Sequence, residues 1–502
     1  MATSLLIVHG YSDGSTSFTA LGDFFVSQGL YAHDQVFYLD YSSMDDEATF
    51  RDFADKLDAD YRTRFAGRRI DVACHSTGSL VVRAWLAMHE ARSRRRGLNE
   101  PCPVERLLCF APANFGSDLA RLGQSFLGKF RSTFFNSRSH REDFMESGAA
   151  VLQGLEPASP FQWELSFECD LHGDHTYFSD ARPEDQRCYP FVFAAGEAYD
   201  GLQAKVIKQR AMAGTDGTVR IAGTSLNSRA CTLDFRQGGA HLQWWRNQRF
   251  ARMPFAVFSG VNHGSIIDPG CPGFTDADGP GGMAVQVLRD ATTAAGYATW
   301  SAAFDACSAA HHPRLPEERQ VQFQQFFFRV RDDVDAPVED YFVDFHVVGP
   351  DGQPHAALTE QFDELFETKV HVHSKAKSHR VFWMNCSQLR TFDQELRAAG
   401  ARLMIEVSGK SALPDVRYYV STFVAYDPAV DPVNGAPVLL APNTTTLVDV
   451  ILNRAQTDRL LSIGAARLAD GARPVAPAAA PAVTPERTGR AVLAAPAEPP
   501  TP

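Results

Sequence analysis

The residues with the clearest chemical purpose are Val72-Ala73-Cys74-His75-Ser76-Thr77-Gly78-Ser79. A short apolar run, Ile70-Asp71-Val72-Ala73, ends there, and Leu80 to Met88 carries apolar residues at helical spacing. A serine on a sharp strand-to-helix turn sits in a strained backbone conformation, so the positions two before and two after it must be small. Here they are Cys74 and Gly78. Cysteine replaces the usual first glycine and adds a Cβ where the turn is crowded. Such a turn lifts the Ser76 hydroxyl clear of the sheet and points the next helix's N-terminus at it. The helix dipole then favours the oxyanion that forms when Ser76 attacks a carbonyl. Chemistry of this kind also needs a histidine to take the hydroxyl proton and a carboxylate to orient that histidine.

Elements able to position such a serine are spread along the first 310 residues. Ser4 to Val8 reads as a buried strand ending in His9-Gly10-Tyr11. Phe18 to Gln28 reads as an amphipathic helix ended by Gly29, and Gln35 to Leu39 as the next strand. Asp45 to Phe65 is helical, with acids early and arginines late as the helix dipole favours. The helix after Ser76 runs to about Arg92, where Arg92-Ser93-Arg94-Arg95-Arg96 is a solvated helix end or, alternatively, a contact for anionic lipid headgroups. Arg106 to Phe110, Tyr189 to Ala195 and Pro254 to Phe258 are further strands; Gly281 to Ala295 and Ala298 to Ala310 are closing helices. Strands alternating with helices argue for a parallel sheet.

With these residues in place, the stretch from Ser4 to about Ala310 resembles the lipases and esterases of the α/β-hydrolase family. The likeness is nearest to bacterial lipases and to the phospholipase and acyltransferase-like branches. It is carried by the Ser-Thr-Gly turn, by Ala111-Pro112-Ala113-Asn114-Phe115-Gly116-Ser117 after the fourth strand, and by Gly214-Thr215-Asp216-Gly217-Thr218-Val219. The resemblance implies a parallel-rich central sheet flanked by helices, with an inserted cap. It implies that Asp216 is the acid; Asp200, in Ala198-Tyr199-Asp200-Gly201, is the rival because it lies nearer a strand end. His263 follows the last strand, in the order serine, acid, histidine that this fold requires; its competitor His241 lacks a preceding buried strand. The His-Gly turn after the first strand is where the family places an oxyanion donor, so the backbone N–H groups of Tyr11 and Thr77 are the expected pair. Tyr11 and Tyr41 are also candidates to line the acyl site. The implied activity is hydrolysis of carboxylic esters of lipophilic acyl groups, of lipase or phospholipase type, through an acyl-enzyme and with no cofactor. An acyltransferase using the same serine and a catalytically silent scaffold are the alternatives.

At 502 residues the chain is too long for one ordinary domain. We expect a catalytic domain over residues 1–318, a β-rich accessory domain over 319–468 and an Ala/Pro-rich disordered tail over 469–502. Within the first, residues 121–188 break the alternation and hold Phe126, Phe130, Phe134, Phe135, Phe144, Phe161, Trp163, Phe167, Tyr177 and Phe178, a composition suited to shielding an acyl chain. Asp170, His172, Asp174 and His175 lie in the same insertion, but loops of this polarity are ordinarily just loops, and no metal is assigned. Residues 220–250 read as a second excursion. From Gln320 the texture becomes strand-like with period-two alternation, predicting a mostly antiparallel β-sandwich. That module would bind lipid, polymer or a partner, or stabilise the enzyme. The net charge of −12 argues against nucleic acid as the main partner. The resemblance implies a lipid or other hydrophobic ester as substrate; a peripheral membrane contact is compatible, and the oligomeric state is open. Nine scattered cysteines without a Cys-x-x-Cys pair read as mostly reduced thiols. No signal peptide precedes the first strand, and no run of about 18 apolar residues exists, so a soluble protein is expected, cytoplasmic or exported by a signal-independent route.

Overall fold

The computed structural model describes residues 4–11, 15–41, 43, 45–118, 120, 148–199, 213–236, 241–245, 250–290, 292–366, 370–411, 416–429 and 441–456. Strands are Leu5–Val8 (β1), Val36–Leu39 (β2), Ile70–His75 (β3), Val104–Phe110 (β4), Tyr189–Ala195 (β5), Arg229–Asp234 (β6), His241–Trp244 (β7) and Phe255–Phe258 (β8). Six of them form one sheet in the order β2-β1-β3-β4-β5-β8, every pair parallel. The central strands β1, β3 and β5 are buried at every position, as expected where helices cover both faces of a sheet.

Helices Thr19–Ser27 (α1), Phe50–Arg64 (α2) and Gly78–Arg95 (α3), with Pro280–Arg289 and Ala294–His311 near the end of this region, join that sheet in one apolar core. Thr49 caps α2 reciprocally with Asp52, satisfying donors the helix start would otherwise leave orphaned. The elbow helix α3 is buried without a break from Gly78 to Leu86. It therefore cannot be an ordinary amphipathic surface helix, and the charge within this buried stretch, Arg83, requires a buried partner.

The second region is built from Phe323–Asp332 (β9), Asp340–Val348 (β10), His371–Val372 (β11), His379–Asn385 (β12), Arg402–Lys410 (β13), Val416–Tyr418 (β14), Ser421–Tyr426 (β15), Thr445–Leu452 (β16) and Arg454–Gln456 (β17). One six-stranded sheet runs β11-β12-β9-β16-β6-β7; an antiparallel three-stranded sheet runs β10-β13-β15, and β14 pairs with β17. Most pairs are antiparallel, but β16 lies parallel to both β9 and β6. The excursion at 220–250 thus supplies two strands to the second sheet, tying it to the first region through the backbone.

This larger sheet is covered on both faces. Phe323, Phe327, Val381, Trp383 and Leu447 pack with the core of the parallel sheet. Phe326, Phe328 and Val330 face Tyr341, Phe345, Ile405 and Phe423 of the smaller sheet, together with Phe362 and Phe392 from helices Ala356–Asp363 and Leu389–Ala398. All eight residues of β16 are buried for the same reason.

The described part of the insertion turns toward this second sheet. Trp163 meets Phe327 edge-on at 5.1 Å and lies under the Arg329 guanidinium at 4.8 Å, and Phe167 stacks on Trp163. Glu156, after helix Ala149–Leu155, accepts from the Ser374 N–H and hydroxyl and sits 3.1 Å from His371 Nε2. Burial alone would raise the Glu156 carboxyl; these donors more than offset that and bring it down to about 2. These aromatics fill the seam between regions. Phe126, Phe130, Phe134, Phe135 and Phe144 of the expected cap, and the tail 469–502, lie outside the described residues. No helix among the described residues is long and apolar enough to cross a membrane. The nine cysteines are all unbridged.

Candidate active site

The site is assembled at one end of the parallel sheet, where β3 gives way to α3. Ser76 occupies that turn with φ +54°, a region L-residues seldom adopt. Its neighbours hold it there: Ser76 N–H donates to Phe110 C=O, while Ser76 C=O accepts from Ala113 N–H. The turn after β4 therefore braces the turn after β3. Gly78 opens α3 where β1 crosses beneath it. A Cβ at position 78 would lie 2.6 Å from His9 C=O oxygen and 2.7 Å from that of Val8. Those are backbone atoms and cannot swing aside. Gly78→Ala should accordingly destabilise the fold by about 1–3 kcal/mol, read from the denaturant midpoint; an unchanged midpoint would mean that β1 can step back freely.

Cys74 tolerates its Cβ because the side chain enters the sheet interior. It pairs in register with Cys109, their sulfurs 3.6 Å apart, and burial first, then that neighbour, holds its thiol well above the ordinary range. It packs as a small apolar residue rather than a reactive one.

The structure brings Ser76, His263 and Asp216 together from three separate loops. The Ser76 hydroxyl lies 3.0 Å from His263 Nε2, and His263 Nδ1 lies 2.8 Å from Asp216 Oδ2. All three are buried to a few per cent exposure. Asp216 is held by its own loop: Oδ1 accepts from Thr218 N–H at 2.9 Å and Val219 N–H at 2.8 Å. Gly217, at φ +94°, lets that loop close on itself, and a Cβ there would strike the Tyr199 ring at 2.6 Å. His263 N–H also donates to Asp216 C=O at 3.1 Å, so acid and histidine are joined through backbone as well as side chain. Asp200 lies outside the described residues, and His241 sits on β7 opposite Asp234 in the second sheet.

The turn after β1 passes directly beside the serine. A Cβ at Gly10 would stand 3.0 Å from Ser76 Cβ and 3.5 Å from its Oγ. Only glycine lets backbone approach the Ser76 side chain so closely, and the next residue is Tyr11. The Tyr11 ring borders Gly148 of the insertion, where a Cβ would come within 3.2 Å of its Cε2. Thr77, the other expected donor, stands immediately before α3. The Tyr41 hydroxyl donates to His9 C=O at 2.9 Å and its ring stacks on His9 at 4.3 Å. It stiffens the end of β1. Two of the insertion's polar residues are engaged elsewhere, Asp170 with Arg83 and His172 Nε2 with the Ser228 hydroxyl at 2.9 Å.

One participant escaped sequence reading. His75 Nε2 lies 2.8 Å from the His263 carbonyl oxygen. Nothing local to Cys74-His75-Ser76 signals this, because the partner is a main-chain atom 188 residues away.

No family model and no curated protein matches the chain. Among solved structures, the phospholipase PlaB from Legionella pneumophila is similar along nearly the whole length. Its complex with thio-NAD superposes with a TM-score of 0.73 at 20% identity, covering 94% of this chain and 97% of that one. A second PlaB structure gives 0.73 at 21% identity, with 92% and 96% covered. The mature lipase BlEst2 from Bacillus licheniformis aligns with a TM-score of 0.35 at 15% identity, over 53% of this chain and 87% of that one. At such identities the likeness is one of fold: the chain has the α/β-hydrolase-type fold seen in PlaB, with an attached β-rich region.

Proposed function

We propose that the protein is a serine ester hydrolase acting on lipophilic acyl esters, of lipase or phospholipase type. The observation that carries the reading is the continuous chain Ser76 Oγ, His263 Nε2, His263 Nδ1, Asp216 Oδ2, at 3.0 and 2.8 Å, on a strained elbow. Ser76 attacks the ester carbonyl while His263 Nε2 takes its proton and then delivers it to the leaving alcohol. Asp216 accepts from His263 Nδ1–H throughout, which fixes the tautomer and stabilises the imidazolium. Backbone N–H groups of Tyr11 and Thr77 receive the charge on the carbonyl oxygen. Water, activated by the same imidazole, then releases the acyl group. None of these steps needs a cofactor. The choice of lipid esters rests on the apolar character of the insertion and on the phospholipase named among the similar folds.

The test combines an active-site probe with a substrate series. A fluorophosphonate should label the folded protein once, and Ser76→Ala should abolish both labelling and turnover. Esters of p-nitrophenol from acetate to palmitate, beside phospholipid vesicles, then define the substrate. Turnover that falls steadily beyond butyrate, with phospholipid untouched, would replace the lipase reading with a small-ester esterase. Absence of labelling would leave a silent scaffold.

A further inference from the structure

We propose that His75 is a positioning residue whose Nε2–H tethers the main chain of His263 and so fixes that imidazole against Ser76. The proposal rests on the triad reading above and adds a residue to it. His263 lies in the loop after β8, an edge strand of the parallel sheet, reached through Gly260 at φ +77°. Its N–H and Nδ1 are both tied to Asp216, at 3.1 and 2.8 Å. Those ties fix histidine relative to acid. They do not fix the main chain of either relative to Ser76, which directly follows β3. The His75 Nε2 bond to His263 C=O, 2.8 Å, does so directly, since His75 immediately precedes Ser76. Among the described residues it is the hydrogen bond between the elbow's own strand and the histidine loop's main chain.

The chemistry of the ring agrees. A carbonyl oxygen can only accept, so Nε2 carries the proton and Nδ1 is a bare lone pair. Nδ1 is buried and has no hydrogen-bond partner among the described residues. The ring faces His263 at 4.8 Å between centroids and Phe18 at 5.7 Å, with Gly10 beside Nδ1 and the His9 imidazole near enough to act on its charge. Burial, then the His263 and His9 rings, pushes its pKa down to about 3. The tether is therefore neutral across the working pH range. That matters, because a cation here would oppose the imidazolium that must form on His263 during attack.

Two variants separate tethering from space filling, and they respond in opposite order. His75→Phe keeps the ring's volume and its contact with Phe18 but loses the donor. His75→Gln loses the ring but places an amide N–H at a similar reach. A tether predicts that the Phe variant loses about 10- to 100-fold in kcat with KM unchanged, and loses fluorophosphonate reactivity in parallel. The Gln variant should recover most of both. A second readout does not depend on activity: amide exchange in residues 260–266 should quicken in the Phe variant and return toward the parent in the Gln variant. If Phe behaves like the parent and Gln is the impaired one, His75 only fills space and the proposal is overturned. If the parent itself is not labelled, the hydrolase reading falls, while the exchange comparison still decides whether the tether exists.

Discussion

Asparagine in place of Asp216 should cut kcat by about 10⁴-fold while leaving the protein folded and KM little changed. The size of the effect follows from how the carboxylate is used. Oδ1 already accepts two backbone N–H groups, from Thr218 and Val219, and Oδ2 accepts from His263 Nδ1. A carboxamide has one acceptor oxygen. Turned toward the two loop N–H groups, that oxygen keeps their bonds and presents its NH2 to His263. Nδ1 must then act as acceptor, the ring proton moves to Nε2, and Nε2 can no longer take the Ser76 proton. The flipped amide would instead face NH2 against two buried N–H donors, leaving all of them unpaired at about 1–3 kcal/mol each. The first arrangement is cheaper, and it is catalytically wrong. Steady-state kinetics and the rate of fluorophosphonate labelling measure it, with thermal unfolding as control. A variant retaining most of its activity would move the acid elsewhere, with Asp200 first to test.

Much of this site could be read before any coordinates because its determinants are local. An elbow announces itself within a few residues: an apolar strand, a serine between small residues, then helical spacing. The same holds for His263 after a short apolar strand and for Gly217 in the acid loop. Cys74 departs from the usual pattern yet keeps the turn, since its side chain enters the gap beside Cys109. What escaped the sequence is long-range. The strand-like texture after Gln320 indicated a β module, but nothing in Arg229-Ala230-Cys231 says that it will pair with Thr446-Leu447-Val448 more than 200 residues later. Of the aromatic insertion, which reads as a shield for an acyl chain, Trp163 and Phe167 fill the seam against Phe327 and Arg329, while Phe126, Phe130, Phe134, Phe135 and Phe144 lie outside the described residues. Aromatic content identifies an apolar surface but not its partner. The two-sided burial of β9 was hidden for the same reason: period-two patterns appear only where one face meets water. Tyr41 shows the limit at single-residue scale. An aromatic near this loop suggests a substrate wall, but that its hydroxyl donates to the His9 carbonyl has no local signal.

The elbow helix carries the other large expectation. Asp170→Asn should destabilise the protein by about 3–5 kcal/mol, because it strands a charge in the buried N-terminal half of α3. Arg83 is fully buried, one turn and a half beyond the elbow. Its Nε and one terminal nitrogen hold Asp170 at 2.7 and 2.9 Å; the same nitrogen reaches Ser166 Oγ at 2.8 Å, and the other contacts the Asn114 carbonyl and side-chain oxygens at 3.3 and 3.2 Å. The guanidinium thus ties the helix after Ser76 to the insertion and to the turn after β4, three elements with no local reason to associate. Desolvating both ions is costly, so the pair as a whole adds little net stability compared with apolar residues of the same volume; its partial removal is what costs. The double variant Arg83→Met with Asp170→Leu should therefore unfold at a denaturant concentration close to the parent's, while either single variant unfolds far earlier. Equal losses in single and double variants would show that the side-chain volumes matter and the charges do not. If the double variant is stable but labels slowly with a fluorophosphonate, the ion pair contributes chiefly to where α3, and hence Ser76, is held.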